Sequence, residues 1–328
     1  MGTIRAALFI VGTTVGAGFL TGAELMRFFG SGGYLFALLL SCTLYFVNGV
    51  LFITLGRRYG GCQGAMCALF GRAGKAIYYL LLAVSFFPCA GMIAGLDALL
   101  PTYAPLPSVL GLALVVFFLC HGLKGVGVLN TALVPFLLAL VVLTGSGGIS
   151  LCYFSFSDGV NAMLYAGMNT AFAAPALMDA GCEIRKPPHA CALAAGCIFV
   201  CGVCILGGIA RLGESALTSP MPYLTVIEGR RVFTVAVACS VLTSLSSALY
   251  PLFMACDRLG RQKDAAKCIV LLAAFVLSRI GLERVIDIFY PVAGMIGVAF
   301  SAVCIFDEYL FQQYHKRIHS CRQKAQNK

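Results

Sequence analysis

The chain has 328 residues, 60% of them apolar and 11% charged, with a mean hydropathy of +0.93 and a formal net charge of +10 at neutral pH. Soluble domains carry about 25% charged residues, and a water-filled surface cannot absorb this much apolar side chain, so a soluble globular protein is excluded and the bilayer is the solvent. The basic residues are scattered among loops; their charge reads as membrane topology and attraction to anionic lipid headgroups, with no nucleic-acid partner.

The apolar residues come in blocks of spanning length. No charged residue occurs from Phe28 to Gly56, Ala76 to Leu96, Ala98 to Leu123 or Gly125 to Ser157. The same holds from Gly159 to Met178, Pro187 to Ala210, Val232 to Cys256 and Ile288 to Phe306. A helix needs roughly 20 apolar residues to cross the hydrocarbon, and these blocks are too continuous for transmembrane strands. The pattern predicts an all-α integral membrane protein of about ten transmembrane helices, near 4–29, 33–56, 76–99, 106–122, 125–149, 159–181, 189–211, 232–255, 265–282 and 286–310. The first is read as a retained span, because no small-residue cleavage site follows it. The Gly-rich segment 59–75 and the loop 212–231 are candidates for short surface or interfacial helices.

Placing the N-terminus in the cytoplasm puts 17 of the 23 Lys and Arg inside, from Arg5 through the loops to Lys328, as the positive-inside rule asks. An even span count returns the tail to the same side. The expected organisation is one transmembrane domain over 1–328: a first five-helix unit in 1–150, a second in 151–310, and a basic cytoplasmic tail in 311–328. The 16 cysteines, Cys191, Cys197, Cys201 and Cys204 among them, mostly fall inside spans and read as polarizable packing residues.

Two spans carry interruptions. Span one contains Gly12-Thr13-Thr14-Val15-Gly16-Ala17-Gly18-Phe19, three glycines in seven residues at bilayer depth. Non-helical backbone there is tolerated only against protein or a watery cavity. Span six contains Tyr165-Ala166-Gly167-Met168-Asn169-Thr170-Ala171 and then Pro175. Each opens a set of five. Matching interruptions in two halves point to a transporter binding site between inverted repeats. A broken helix frees N–H groups for an anionic group and carbonyls for a cation, with no charged side chain needed. Close packing through small-xxx-small pairs such as Gly12/Gly16 is the competing explanation; for Asn169 and Thr170 it is hydrogen bonding between helices.

Span eight places Ser240, Thr243, Ser244 and Ser247 on one face. They are either oxygen ligands for a cation beside span one or hydroxyls bonded back to their own helix; Ser246 and Tyr250 offer another register. Glu24 lies deep in span one, a candidate proton-coupling group or an i, i+3 partner of Arg27. Asp97, Asp179 and Asp287 lie near span ends, as capping or interfacial residues do. The four histidines form no ligand cluster, and no nucleophile elbow, zinc-binding or phosphate-loop motif is present, so the chain is not read as an enzyme.

Residues 11–30, VGTTVGAGFLTGAELMRFFG, resemble the opening helix of the YkvI-like bacterial membrane proteins, which reads GT-x-VGAGFATG-x-E followed by paired aromatics. Gly12, Thr13, Val15, Gly16, Ala17, Gly18, Phe19, Thr21, Gly22, Glu24, Phe28 and Phe29 fit, and Leu20 replaces a small residue. Tyr165, Asn169 and the stretch to Lys186 are similar to that family's sixth span. The family looks like a branch of the amino acid–polyamine–cation superfamily. The resemblance implies a LeuT-type fold, a five-plus-five inverted repeat with broken helices one and six, in a bacterial plasma (inner) membrane. It implies sodium- or proton-coupled transport of an amino acid or similar small solute, with Na+ a candidate coupling ion and no cofactor. The implied substrate site is Thr13, Thr14, Gly16, Ala17, Gly18, Tyr165, Gly167, Asn169 and Thr170. The implied cation site is Gly12 and Val15 with Thr243 and Ser244, or with Ser246 and Ser247. A membrane receptor or sensor that binds a small molecule without moving it is the alternative.

Overall fold

The computed structural model describes residues 1–29, 34–144, 155–210, 221–226 and 230–326, with side chains over the same ranges except 225–226, 230–231 and 310–326. Every regular element among the described residues is a helix. Six segments are long and apolar enough to cross a membrane: 34–59, 62–99, 122–144, 187–209, 232–257 and 282–309. Their outward faces are apolar, as lipid requires: Phe36, Leu80, Val142, Val200, Val235 and Met295 are all exposed.

The expected first span is three helices, α1 (Thr3–Thr14), α2 (Ala17–Leu20) and α3 (Ala23–Phe29). The α2–α3 turn rests on Gly22 at φ +81°, a left-handed conformation that glycine adopts without a Cβ clash. Then follow α4 (Tyr34–Tyr59), α5 (Cys62–Phe70), α6 (Gly74–Leu99), α7 (Leu106–Leu119) and α8 (Gly122–Thr144). Next are α9 (Phe156–Asp179), α10 (Pro187–Ile209), α11 (Pro222–Val226), α12 (Arg230–Asp257), α13 (Lys263–Ser278) and α14 (Leu282–Gln326). A capping box opens α9: the Asp158 amide donates to Ser155 Oγ at 3.2 Å, and the Ser155 amide to Asp158 Oδ2 at 2.9 Å.

Helix α9 packs on α4 and α14, α10 packs on α4 and α1, and α12 packs on α6 and α8, with α1 lying between α10, α8 and α12. At one end, Arg57 of α4 donates from Nε to the Gly181 carbonyl at 3.2 Å and also to Ile184 O. Asp179 accepts the Cys62 amide at 2.8 Å, so it caps α5 as its position near a span end suggests. Within the expected loop 212–231, residues 212–220 and 227–229 lie outside the described residues. Its described helix, α11, packs against α10 and α12. Tyr223 is buried and its amide donates to Thr21 O at 2.9 Å.

One expectation fails. Helix α9 runs unbroken through Gly167, Asn169 and Pro175, so the predicted break in span six is absent. Gly167 is there for helix packing. A Cβ on Gly297 of α14 would stand 1.8 Å from the Gly167 carbonyl oxygen, and one on Gly167 would stand 2.4 Å from Gly294 O. The backbones of α9 and α14 meet where three side chains are missing.

This crossing predicts that Gly297→Ala destabilises the protein by about 1–3 kcal/mol through overpacking, seen as a lower melting temperature in detergent. Gly196→Ala on α10, where a Cβ meets nothing within 4 Å, should cause no loss.

Candidate functional site

Helix α1 ends at Thr14, and Val15 and Gly16 are non-helical before α2 begins. The break leaves α1 carbonyls without helical partners, and backbone groups unsatisfied at bilayer depth are costly. Ser244 of α12 answers them: its Oγ stands 2.9 Å from Gly12 O and 3.0 Å from Val15 O. Thr13 and Thr14 turn their hydroxyls back to Ile10 O, at 2.6 and 3.3 Å, and both meet the Tyr45 hydroxyl of α4. The Ala17 amide, first in α2, donates to the Met92 thioether at 3.4 Å, a weak acceptor.

The three glycines make room. Their φ values are not left-handed; Gly16 is extended at φ −105°, ψ −168°. A Cβ on Gly12 would meet the Asn130 side-chain amide at 2.7–2.9 Å, one on Gly16 would meet Met92 Cε at 2.3 Å, and one on Gly18 would meet Glu24 Oε1 at 2.3 Å.

Beside the break lies a cavity of about 20 Å³, lined by Thr13, Thr14, Glu24, Pro88, Met92, Met168, Asn169, Phe172, Ser244, Ser247, Ala248 and Tyr290. That is room for about one water, so no larger solute fits there in this conformation. A second, smaller cavity is lined by Thr14, Ser41, Cys42, Tyr45, Tyr165, Ala166, Asn169 and Ile198. Asn169 borders both. Its Nδ2 donates to Tyr165 O at 3.0 Å.

Of the predicted substrate residues, Thr13, Thr14 and Asn169 line the first cavity, while Tyr165 lines the second. Gly16, Ala17 and Gly18 lie directly behind Met92 and Glu24. Gly167 faces α14, and Thr170 accepts from Asn48 Nδ2 at 3.2 Å. Of the predicted cation ligands, Gly12, Val15 and Ser244 converge. The hydroxyls of Ser240, Thr243, Ser246 and Ser247 bond back to Val237 O, Ser240 O and Thr243 O within α12, at 2.8–3.0 Å. Arg27 does not pair with Glu24; it lies 3.3 Å from Asp287. Asp97 accepts the Ser108 amide and pairs with Arg279 at 3.1 Å, consistent with a place at a span end.

Sequence reasoning missed Asn130 of α8, which is buried against Gly12 and donates to Ser247 Oγ at 3.3 Å. Its signal was a lone amide inside an apolar span. Met92, Met168 and Tyr290 carried no signal, since such residues fill any membrane core. Among the described residues, no three His, Cys, Asp or Glu side chains gather as metal ligands. A cation here would be held by backbone and hydroxyl oxygens, which suit a hard ion.

No family model matches the chain. It is similar to the uncharacterized membrane protein YkvI of Bacillus subtilis (strain 168), at 25% identity over 334 aligned residues, covering 90% of this chain and 93% of that one. Among solved structures it resembles MhsT in complex with L-phenylalanine, with a TM-score of 0.66 and 20% identity over 92% of this chain and 88% of that one. A Na+-coupled sialic acid symporter in a substrate-bound, outward-open state aligns with a TM-score of 0.63 and 13% identity, over 93% of this chain and 78% of that one. Mhp1, a nucleobase-cation-symport-1 family transporter, aligns at 0.52 and 16% identity, over 88% and 75%. The fold is LeuT-like. The resemblance carried by residues 11–30 therefore reaches across nine-tenths of the chain.

The contact between Gly12 and Asn130 predicts that Gly12→Ala lowers the melting temperature by the equivalent of about 1–3 kcal/mol. Adding Asn130→Ala should recover part of that loss, because the two sites share one space. Strict additivity in the double variant would show that they do not.

Proposed function

We propose that the chain is a cation-coupled secondary transporter of an amino acid or similar small solute, working by alternating access around the central cavity. The observation that carries this reading is the interrupted α1, whose Gly12 and Val15 carbonyls meet Ser244 Oγ at 2.9 and 3.0 Å beside that cavity. Three neutral oxygens from two helices, α1 and α12, form the core of a sodium site. Ser244 now satisfies the two carbonyls with its own proton; a bound Na+ would take that role and leave its hydroxyl oxygen as a third ligand. Thr243, the neighbouring residue of α12, is the further candidate ligand, and its hydroxyl would have to leave Ser240 O to take part. The similarity to Na+-coupled and nucleobase-cation symporters supports this assignment at the level of fold.

In the same reading, the chain has about ten spans in a five-plus-five inverted repeat, with 1–150 and 151–310 as its halves and both termini in the cytoplasm of a bacterial cell. Helices α1, α4, α9 and α10 rock against the others. The Ala17 and Gly18 amides become ligands when Met92 swings away: a thioether is a poor acceptor, and a polar substrate atom replaces it at a gain. Ion pairs at the ends of the bundle hold this conformation. Arg27–Asp287 and Arg279–Asp97 close one end, and Arg58–Glu308 at 2.9 Å the other. The first of these is half-exposed on both sides and contributes no more than about 1 kcal/mol, so an opening transition can break it.

The test is uptake into proteoliposomes with and without an inward sodium gradient, alongside sodium-dependent thermal stabilisation. Ser244→Ala should lose most of the sodium dependence of both and melt at a lower temperature, by the equivalent of about 1–3 kcal/mol, because two buried carbonyls lose their donor; Ser244→Thr, which keeps the hydroxyl, should retain the sodium dependence. Unchanged sodium dependence in Ser244→Ala would remove the site. Ligand binding by the native chain with no accumulation under any gradient would favour a receptor.

A further inference from the structure

The transport reading leaves Glu24 without a role. Its side chain is 3% exposed, at bilayer depth, and it lines the central cavity. Gly18 is kept free of a Cβ beneath its carboxyl group. The ion pairs of the described residues are Arg27–Asp287, Arg58–Glu308, Lys267–Asp257 and Arg279–Asp97. None includes Glu24, and Arg27, one turn along, is committed to Asp287. No basic side chain lines the cavity.

Two tyrosines stand by the same carboxyl group. Tyr290 of α14 shares the cavity wall with it, and Tyr165 of α9 packs its ring on Phe28 and Phe29 of the same helix as Glu24, at 5.3 and 4.9 Å. Both hydroxyls are buried, Tyr290 Oη against the Glu24 carboxyl group and Tyr165 Oη toward Asn169, and neither makes a well-aligned hydrogen bond. A buried polar group left unpaired costs about 1–3 kcal/mol, and a charged one more. A carboxyl group and a tyrosine hydroxyl facing one cavity, with no cation between them, form a set of acceptors awaiting a donor that carries positive charge. The remaining wall is apolar and adaptable: Pro88, Met92, Met168, Phe172 and Ala248.

We propose that the central cavity takes a solute bearing a protonated amine, with Glu24 as the counter-charge that receives its ammonium group. This rests on the cavity being the solute site of the transporter. An ammonium has three donors. Glu24 takes one in a charge-assisted bond, Tyr290 Oη accepts a second, and Asn169 Oδ1 is placed for the third, its Nδ2 being held by Tyr165 O. The methionines and Phe172 hold the apolar part. A solute with a carboxylate and no amine is rejected, because it would bring a second negative charge beside Glu24 with no basic residue to receive it. The amine is therefore the required group, and a carboxylate on the same molecule is optional.

The experiment is thermal stabilisation and calorimetric binding on the purified full chain, with three matched probe sets: aliphatic and aromatic amines, the amino acids with the same side groups, and the corresponding acids without the amine. The expected result is binding by members of the amine set, or of both amine-bearing sets, and none by the deaminated acids. Glu24→Gln should weaken that binding by about tenfold or more, the scale of one charge-assisted bond. Glu24→Asp should weaken it less, with both variants monodisperse and cooperative in melting. Binding by deaminated acids, binding insensitive to Glu24→Gln, or no binding by any amine-bearing probe would each overturn the proposal. So would stabilisation by sodium alone that is lost in Glu24→Gln and kept in Ser244→Ala, because Glu24 would then be a metal-ion ligand. Binding is read apart from uptake: amine binding with no accumulation would defeat the transporter reading and leave the ligand class standing.

Discussion

The Ser244 hydroxyl, set between the Gly12 and Val15 carbonyls, is the contact on which the arrangement of the bundle depends. Lipid offers no hydrogen bonds, so a helix can stop at mid-bilayer only if another part of the protein takes its orphaned groups. Once α12 supplies that hydroxyl, α1 can end at Thr14, the chain can cross to α2 in an extended step, and Gly22 can turn it again into α3. The break then has three neighbours fixed in place: Asn130 against Gly12, Met92 against Gly16 and Glu24 against Gly18. Each occupies a volume that a single methyl group would fill. Glycine is required at these positions by what stands opposite, more than by any backbone angle.

That distinction explains what could be read from the sequence and what could not. The apolar blocks located the helices, because hydropathy over a bilayer thickness is a property of each segment alone. The interruption of span one was legible for the same reason: three glycines with two threonines leave little to stabilise a continuous helix. Gly167 with Pro175 looked like a second interruption and is not one. Its cause lies more than a hundred residues away, in Gly294 and Gly297, whose missing side chains let α14 lie against the α9 backbone. A glycine that breaks a helix and a glycine that lets two helices touch have one signature in a single sequence.

The polar residues divide along similar lines. The hydroxyl face of α12 was legible as a pattern, but most of its members bond to their own helix, and only Ser244 reaches α1. Which hydroxyl turns outward is set by the position of the α1 break relative to α12, a tertiary fact. Glu24 and Arg27 stand at a spacing that favours a local pair. In the fold, α14 offers Asp287 to Arg27, and Glu24 turns the other way, over Gly18 and into the cavity. A carboxyl group that declines an available arginine and faces a closed polar space is harder to explain by stability than by a ligand.

The energetics also favour a moving part at this place over a static one. The bonds at the two ends are ion pairs with partly exposed members and side chain–carbonyl contacts around Arg57, each of modest strength. The bonds at the centre are buried and poorly matched: a thioether against an amide, tyrosine hydroxyls without a well-aligned partner, and a cavity with room for about one water. Opening either end exposes groups that water or a solute satisfies better than the protein does, so little is lost at the centre when an end parts. A core built for stability alone would place its best-matched contacts in the middle and leave the ends loose. Here the middle is polar, under-matched and enclosed, and that imbalance is what a solute and its coupling ion would relieve.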